Sequence, residues 1–319
     1  MKGLLDIFTK PKHWVINRNQ QRILNIYQKL LNYPQLARAF TGFSRFMIGG
    51  FIYSLKIEVN NYCSLKCKMC YLPKLNKPQE DLPNEIIDKL FKDISGYKIR
   101  IEILGGEPLQ RKDIVEVVAK AKKIAKSPYI TLYTNGINAT PELSRGLKKA
   151  GLAGVIVTLI SHKPDVHDAF TGVPGSWEKT VAGIKNLNEA RIKVFTFSAI
   201  HKENYLEYKD LFTFVKNDLK AHPLFYQYVP QCPNDKLLIE QNAWSKIKHW
   251  VLYEQEKEHA EFVRNFYLLT GNACSGGNFV FTVKVDGTIQ PCPFVDDIPL
   301  GSLKEKSIWK IFKNRFKNT

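Results

Sequence analysis

From residue 54 onward the chain alternates six short apolar runs with helical patterns, and this alternation limits the fold more than any other feature. The runs, at 55–59, 99–104, 129–133, 155–160, 194–200 and 224–229, are rich in β-branched and aromatic residues, side chains that suit a pleated, buried surface. Helically spaced apolar residues fill the intervals at 85–94, 112–125, 141–150, 177–189 and 205–217, with Pro141 suited to a first helical position. Repeats of strand, helix and strand build a parallel sheet, because parallel neighbours need a long crossover and crossovers are right-handed. The predicted class is therefore α/β, with too few units for a closed eight-stranded barrel.

Directly after the first run come Cys63, Cys67 and Cys70, spaced by three residues and then two. Thiolates are soft ligands that select zinc, copper(I) or iron–sulfur clusters. Structural zinc fills all four positions from the protein; three cysteines with no fourth partner nearby point instead to a centre with one open coordination site, against a zinc knuckle or a disulfide framework. After the second run stand Gly105, Gly106, Glu107 and Pro108, a turn whose glycines let backbone approach a ligand and whose carboxylate can accept from an ammonium group.

These motifs resemble the radical SAM family, whose cluster loop has this cysteine spacing with a hydrophobic residue, here Met69, before the third cysteine. The resemblance implies a partial (β/α)6 TIM-like barrel, open on one side, with chemistry on loops at the carboxyl ends of the strands. It implies that Cys63, Cys67 and Cys70 hold a 4Fe–4S cluster whose unique iron chelates S-adenosylmethionine, and that a 5′-deoxyadenosyl radical takes a hydrogen atom from the substrate. Gly105, Gly106, Glu107 and Pro108 would cradle the methionyl amino group, while Thr134 and Asn135 (before Gly136) and Ser161 would line the cofactor side. Where relatives continue after that serine with Leu-Asp, this chain has His162 and Lys163, which removes a carboxylate from that loop. His167 and Asp168 match a family stretch read as structural, with the histidine expected as a satisfied surface group.

A second cysteine set follows. Cys274 and Cys292 flank a hairpin in which Asp286 and Gly287 turn between 279–285 and 288–290, a strong hairpin signal. The segment, with Gly301 and Ser302 beyond it, resembles the SPASM and twitch extensions of the same family, which hold auxiliary 4Fe–4S clusters. Cys232 is a third candidate ligand; the competing roles are a catalytic hydrogen-atom donor and a small buried hydrophobe. The chain thus divides into an N-terminal helical segment, 1–53, a radical SAM core, 54–230, and a small C-terminal β-hairpin and helix extension, 231–319. Within the first, 17–33 has a helical apolar stripe, and 36–53 is an aromatic, arginine-bearing stretch that suits packing or peripheral membrane contact. The final 307–317 reads as a basic amphipathic helix that caps the hairpin or meets an anionic partner.

Composition narrows the functional classes. Six cysteines in 319 residues, three of them in one tight loop, do not form a secreted disulfide scaffold, and no apolar run approaches the ~20 residues of a membrane helix. A soluble, cytoplasmic protein is expected. The net charge of +17 favours anionic neighbours such as RNA, acidic lipid or an acidic substrate. The leading expectation is an enzyme acting on a peptide or a small polar metabolite, supplied with electrons by a reductase such as flavodoxin or ferredoxin. RNA or lipid modification, a non-catalytic iron–sulfur RNA-binding protein and a pure electron carrier are the alternatives.

Overall fold

The β-branched runs form strands buried on the face that meets the helices. The computed structural model describes residues 52, 54–72, 78–230, 232, 235–256, 280–294 and 298–314. The stretch read at 17–33, the one read at 36–53 apart from Ile52, and Cys274 lie outside the described residues. The order is β1 (Ser54–Glu58), α1 (Asn84–Asp93), β2 (Arg100–Leu104), α2 (Ile114–Lys123), β3 (Ile130–Thr134), α3 (Pro141–Ala150), β4 (Gly154–Thr158), α4 (Pro164–Thr171), α5 (Ser176–Glu189), β5 (Lys193–Ile200), α6 (Tyr208–Thr213), β6 (His222–Gln227), α7 (Gln241–Glu256), β7 (Val280–Val283), β8 (Thr288–Gln290), β9 (Gly301–Ser302) and α8 (Ile308–Asn314). Among the described residues these strands make one nine-stranded sheet, ordered β6-β5-β4-β3-β2-β1-β7-β8-β9. The first six run parallel in sequence order, the open α/β arrangement expected.

Local chemistry fixes the element ends. The Thr140 hydroxyl accepts from Leu143 N–H, Pro141 takes the first turn of α3, and Gly151 closes it at φ +103°, a left-handed cap that favours glycine. Pro223 falls inside β6, which ends the sheet among the described residues, and a proline in an end strand breaks no inner ladder. The helix expected over 205–217 is instead a 3-10 turn at Tyr205–Glu207, then α6, then a π turn at Phe214–Asp218. The core lies between sheet and helices, where Leu55, Ile57, Ile101, Ile103 and Val155 are fully buried.

The C-terminal hairpin does not stand apart from this sheet. β7 pairs in parallel with β1, from Ser54↔Val280 to Ile57↔Val283, and β8 and β9 continue antiparallel. The turn is the one read from Asp286 and Gly287: Asp286 Oδ1 accepts from Thr288 N–H at 2.9 Å and Gly287 has φ +82°. α8 then folds back, its Trp309 Nε1 donating to Asp93 O at 2.7 Å while Phe312 meets Phe281 with ring centroids 5.4 Å apart. It therefore caps the hairpin and α1. No helix of the described residues is long and apolar enough to cross a membrane.

Candidate cofactor and cluster site

The three-cysteine loop follows β1 and is fastened from two sides. On the first side, Gly106 N–H donates to Asn60 O at 2.9 Å and Glu107 N–H to Tyr62 O at 2.8 Å. A Cβ on Gly105 would lie 2.5 Å from Asn60 O, and one on Gly106 2.1 Å from Tyr62 O. These glycines let the end of β2 press against the entry of the cysteine loop. On the second side, Lys66 N–H donates to Thr171 O at 2.8 Å and Lys68 N–H to Phe170 O at 2.9 Å, so the end of α4 holds the middle of the loop. Below the entry, the buried Arg111 guanidinium donates to Val59 O at 2.8 Å and Leu82 O at 2.7 Å and pairs with Asp113 at 2.7 Å. Its hydrogen bonds hold the Asp113 carboxyl down at about 2. Arg111 was not singled out in the sequence, where it is one of many basic residues.

Cys63, Cys67 and Cys70 are partly buried free thiols. Burial pushes Cys63 up to about 11 and Cys67 up to about 12, the latter helped by the charges of Cys63 and Cys70, and it also raises Cys70. Thiols in such a place stay protonated near neutrality unless a metal displaces the proton, so the donor set fits an iron–sulfur cluster. Asn135 Nδ2 lies 3.6 Å and Leu65 N 3.4 Å from Cys63 Sγ, both as donors to that sulfur. The side chains of Cys67 and Met69 rest on a cluster of Ile160, Ala199 and Tyr228, at the ends of β4–β6, and Phe170 of α4. Among the described residues no group of three or more His, Cys, Asp or Glu side chains is gathered to hold a single metal ion.

Glu107 is held at the end of β2 by three hydrogen bonds. Its buried carboxylate accepts from Leu109 N–H at 2.9 Å, the Thr134 hydroxyl at 2.6 Å and Asn135 N–H at 2.7 Å, while burial pushes its pKa up. These bonds let the side chain tie β2 to the end of β3 and begin the short turn at Pro108. Gly136 follows at φ +80°, and a Cβ on Gly183 of α5 would sit 1.9 Å from Gly136 O. The Asn135 side chain stays beside the cysteines. Ser161 is buried, its Oγ accepting from Lys163 N–H at 3.0 Å and its carbonyl from Trp177 Nε1 at 3.1 Å; its hydroxyl shapes the β4 turn.

His167 is buried rather than on the surface as expected, because α4 turns it inward, where Nδ1 accepts from Ile160 N–H at 3.2 Å. Burial lowers its pKa to about 4. Asp168 accepts from Gly175 N–H, the Ser176 hydroxyl and Trp177 N–H at 2.6–2.8 Å, bearing out the structural reading of this stretch. Asn204, which the sequence reading passed over, donates to Ile160 O and Ala199 O at 2.8 and 3.0 Å, joining β4 to β5.

The hairpin reaches the cysteine loop through a buried ion pair, Lys284 Nζ to Glu58 Oε1 at 2.8 Å. The Tyr71 hydroxyl, one residue past Cys70, donates to the same Glu58 oxygen at 2.6 Å. The Lys284 ammonium also lies 4.9 Å from the Tyr71 ring centroid, and that ring packs edge-on against Phe294 with centroids 5.3 Å apart. The available signal was a lysine inside an otherwise apolar strand. Cys292, two residues before Phe294, is half-buried, and Cys232 is exposed after β6.

Comparison with known proteins agrees with this arrangement. The Radical SAM superfamily matches residues 57–215, and SPASM, an iron–sulfur cluster-binding domain, matches 274–318. The AdoMet-dependent heme synthase of Methanosarcina barkeri is 24% identical over 81% of each chain. The sporulation killing factor maturation protein SkfB of Bacillus subtilis is 23% identical over 80% of this chain and 63% of its own. Streptococcus suis SuiB bound to S-adenosylmethionine has a similar fold, with a TM-score of 0.67 at 17% identity over 92% of this chain and 76% of that one. The cofactors that go with these domains are a 4Fe–4S cluster, S-adenosylmethionine and additional iron–sulfur centres. The chain belongs to the radical SAM superfamily and carries a SPASM extension on a partial-barrel sheet.

Proposed function

We propose that the chain modifies a peptide by removing a hydrogen atom from an unactivated C–H bond, with Cys63, Cys67 and Cys70 holding the cluster that serves S-adenosylmethionine. What the bound cofactors would supply is a carbon radical strong enough to take that hydrogen. The chain's own part is placement. Gly105, Gly106 and the end of α4 hold the cysteine loop; Glu107 fixes Thr134 and Asn135 beside it; Met69 packs below; and Pro108 and Ser161 shape the neighbouring turns. The observation that carries the reading is the two-sided fastening of a three-thiol loop at the carboxyl end of β1. A peptide substrate is favoured by SuiB, which has also been solved bound to precursor peptide SuiA; SkfB is by name a sporulation killing factor maturation protein.

Cys274 and Cys292, with Cys232 as a third ligand or as a hydrogen-atom donor, would serve an auxiliary 4Fe–4S cluster in the extension 231–319, appended to the core 54–230. A flavodoxin or ferredoxin would deliver the electron. The heme synthase relative favours a second reading, a small-molecule substrate. The deciding experiment is iron content and EPR after anaerobic reconstitution, beside a variant with Cys63, Cys67 and Cys70 all changed to Ala. Two cubanes require ~8 irons in the parent and ~4 in the variant. A parent with ~4 and a variant with almost none would remove the auxiliary cluster.

A further inference from the structure

The two faces of the parallel sheet are finished differently. Residues directed at the helices are sealed, whereas Lys56, Glu102, Tyr133, Thr158, Phe197 and Tyr226, on the opposite face, keep partial exposure. In a parallel sheet both faces are normally covered; partial exposure on the concave face marks a lumen open to solvent.

That lumen has a floor of definite chemistry. Ile156, Phe195 and Leu224 plug it, and Tyr133, Phe197 and Tyr226 lie on the plug. The Phe197 and Tyr226 rings are stacked, with centroids 4.6 Å apart and planes at 23°. Phe197 also joins the apolar cluster on which Cys67 and Met69 rest, so the floor runs beneath the cysteine loop. On the other side Lys56 pairs with Glu102 at 3.4 Å and stands 5.3 Å from the Tyr133 ring centroid. Tyr133 links the two sides, packing on the apolar plug while its hydroxyl donates to Glu102 Oε2 at 3.2 Å. Glu102 also accepts from the Ser54 hydroxyl at 2.6 Å. An ammonium has three N–H donors, and the ion pair with Glu102 engages only part of that capacity. The floor therefore offers an aromatic face and, across Tyr133, a cation.

We propose that this floor selects the substrate, stacking an aromatic side chain on Phe197 and taking the carboxylate of a neighbouring acidic residue on Lys56. The proposal rests on the peptide reading above and supplies its missing term, the kind of segment that enters. A net charge of +17 draws acidic segments toward the protein.

The test uses the full reconstituted chain with S-adenosylmethionine and four fluorescein-labelled hexapeptides, identical except for a central Phe-Glu, Leu-Glu, Phe-Gln or Leu-Gln, read by fluorescence polarisation. Replacing Phe by Leu, or Glu by Gln, is expected to weaken binding by about fivefold each. Phe197→Leu should abolish the preference for Phe while keeping that for Glu; Lys56→Gln should do the reverse, and Lys56→Arg should restore it. Equal binding of all four peptides to the parent, or loss of both preferences in either variant, overturns the proposal while leaving the peptide reading standing. Ligand-observed NMR with N-acetylphenylalanine and N-acetylleucine separates the two ideas. If the parent prefers N-acetylphenylalanine, Phe197→Leu removes that preference and no hexapeptide binds, the floor assignment stands and the peptide reading falls. Binding of neither probe class overturns both.

Discussion

Replacing Lys284 by Met isolates the tie between the hairpin and the cysteine loop. Lys284 is 2% exposed and Glu58 0%, so the substitution removes the ammonium 2.8 Å from a buried carboxylate that also accepts from the Tyr71 hydroxyl. Removing one member of a buried pair costs about 3–5 kcal/mol, and protonation limits that cost. A carboxyl that titrates near ~4.3 in water takes up a proton at pH 7 for about 3.7 kcal/mol, and at pH 5 for about 1 kcal/mol. The expected loss in unfolding free energy is therefore about 4 kcal/mol at pH 7, shrinking to about 1–2 kcal/mol at pH 5. The double variant Glu58→Gln with Lys284→Met leaves no charge behind and should return to within about 1 kcal/mol of the parent. Urea unfolding of the cluster-free chain at both pH values measures all three. A single-variant loss below ~1 kcal/mol at pH 7, or one equal at the two pH values, would refute the argument that a desolvated charge pair joins the hairpin to the loop.

Two further predictions concern the loop's supports. Gly106→Ala should cost about 3 kcal/mol and lower reconstituted iron by ~4 per chain, because the new methyl group meets the Tyr62 carbonyl at 2.1 Å. Gly96→Ala, at φ +85° with nothing within 4 Å, is the control and should bind iron as the parent does. His167 makes the fold acid-sensitive: burial lowers its pKa to about 4 from 6.5, so the unfolded chain binds the proton more readily. Stability is then full above about pH 6.5 and declines as pH falls toward 4, by about 2 kcal/mol between pH 7 and 5. His167→Gln should remove that increment in urea titrations at the two pH values.

How much of this was legible in the sequence depends on whether a residue's partner is local. The six strands show in their β-branched composition, and α3 shows its own ends, because Thr140, Pro141 and Gly151 act on backbone within the same turn. The cysteine loop is legible because its spacing is itself the chemistry. The motif of Glu107 and the two glycines is legible, but their packing partners are not, since nothing local shows that the Asn60 and Tyr62 carbonyls arrive against them. His167 was read as exposed because helical position alone does not say which face meets β4. Arg111 and Asn204 carry no sequence signature of their function, and Lys284 shows only as a lysine between two valines, since each acts on groups brought near by the sheet order: Val59 and Leu82, Ile160 and Ala199, and Glu58.

The pairing of β7 with β1 follows from a general difficulty of open sheets. A six-stranded parallel sheet leaves two edges whose unpaired N–H and C=O groups invite association. Here β6, the end strand among the described residues, carries Pro223, which has no N–H to donate, while the β1 edge is covered by the chain's own β7. Covering β1 in this way places Lys284 against Glu58 and Phe294 against Tyr71, so the hairpin that leads into Cys292 is registered to the cysteine loop by strand hydrogen bonds rather than by a linker. The same strand pairing that removes an edge also sets the place of the hairpin's cysteine relative to the first three. A polar substitution that loosened β7 would therefore act on the metal site before it acted on the core, because the core strands β2–β5 keep both neighbours.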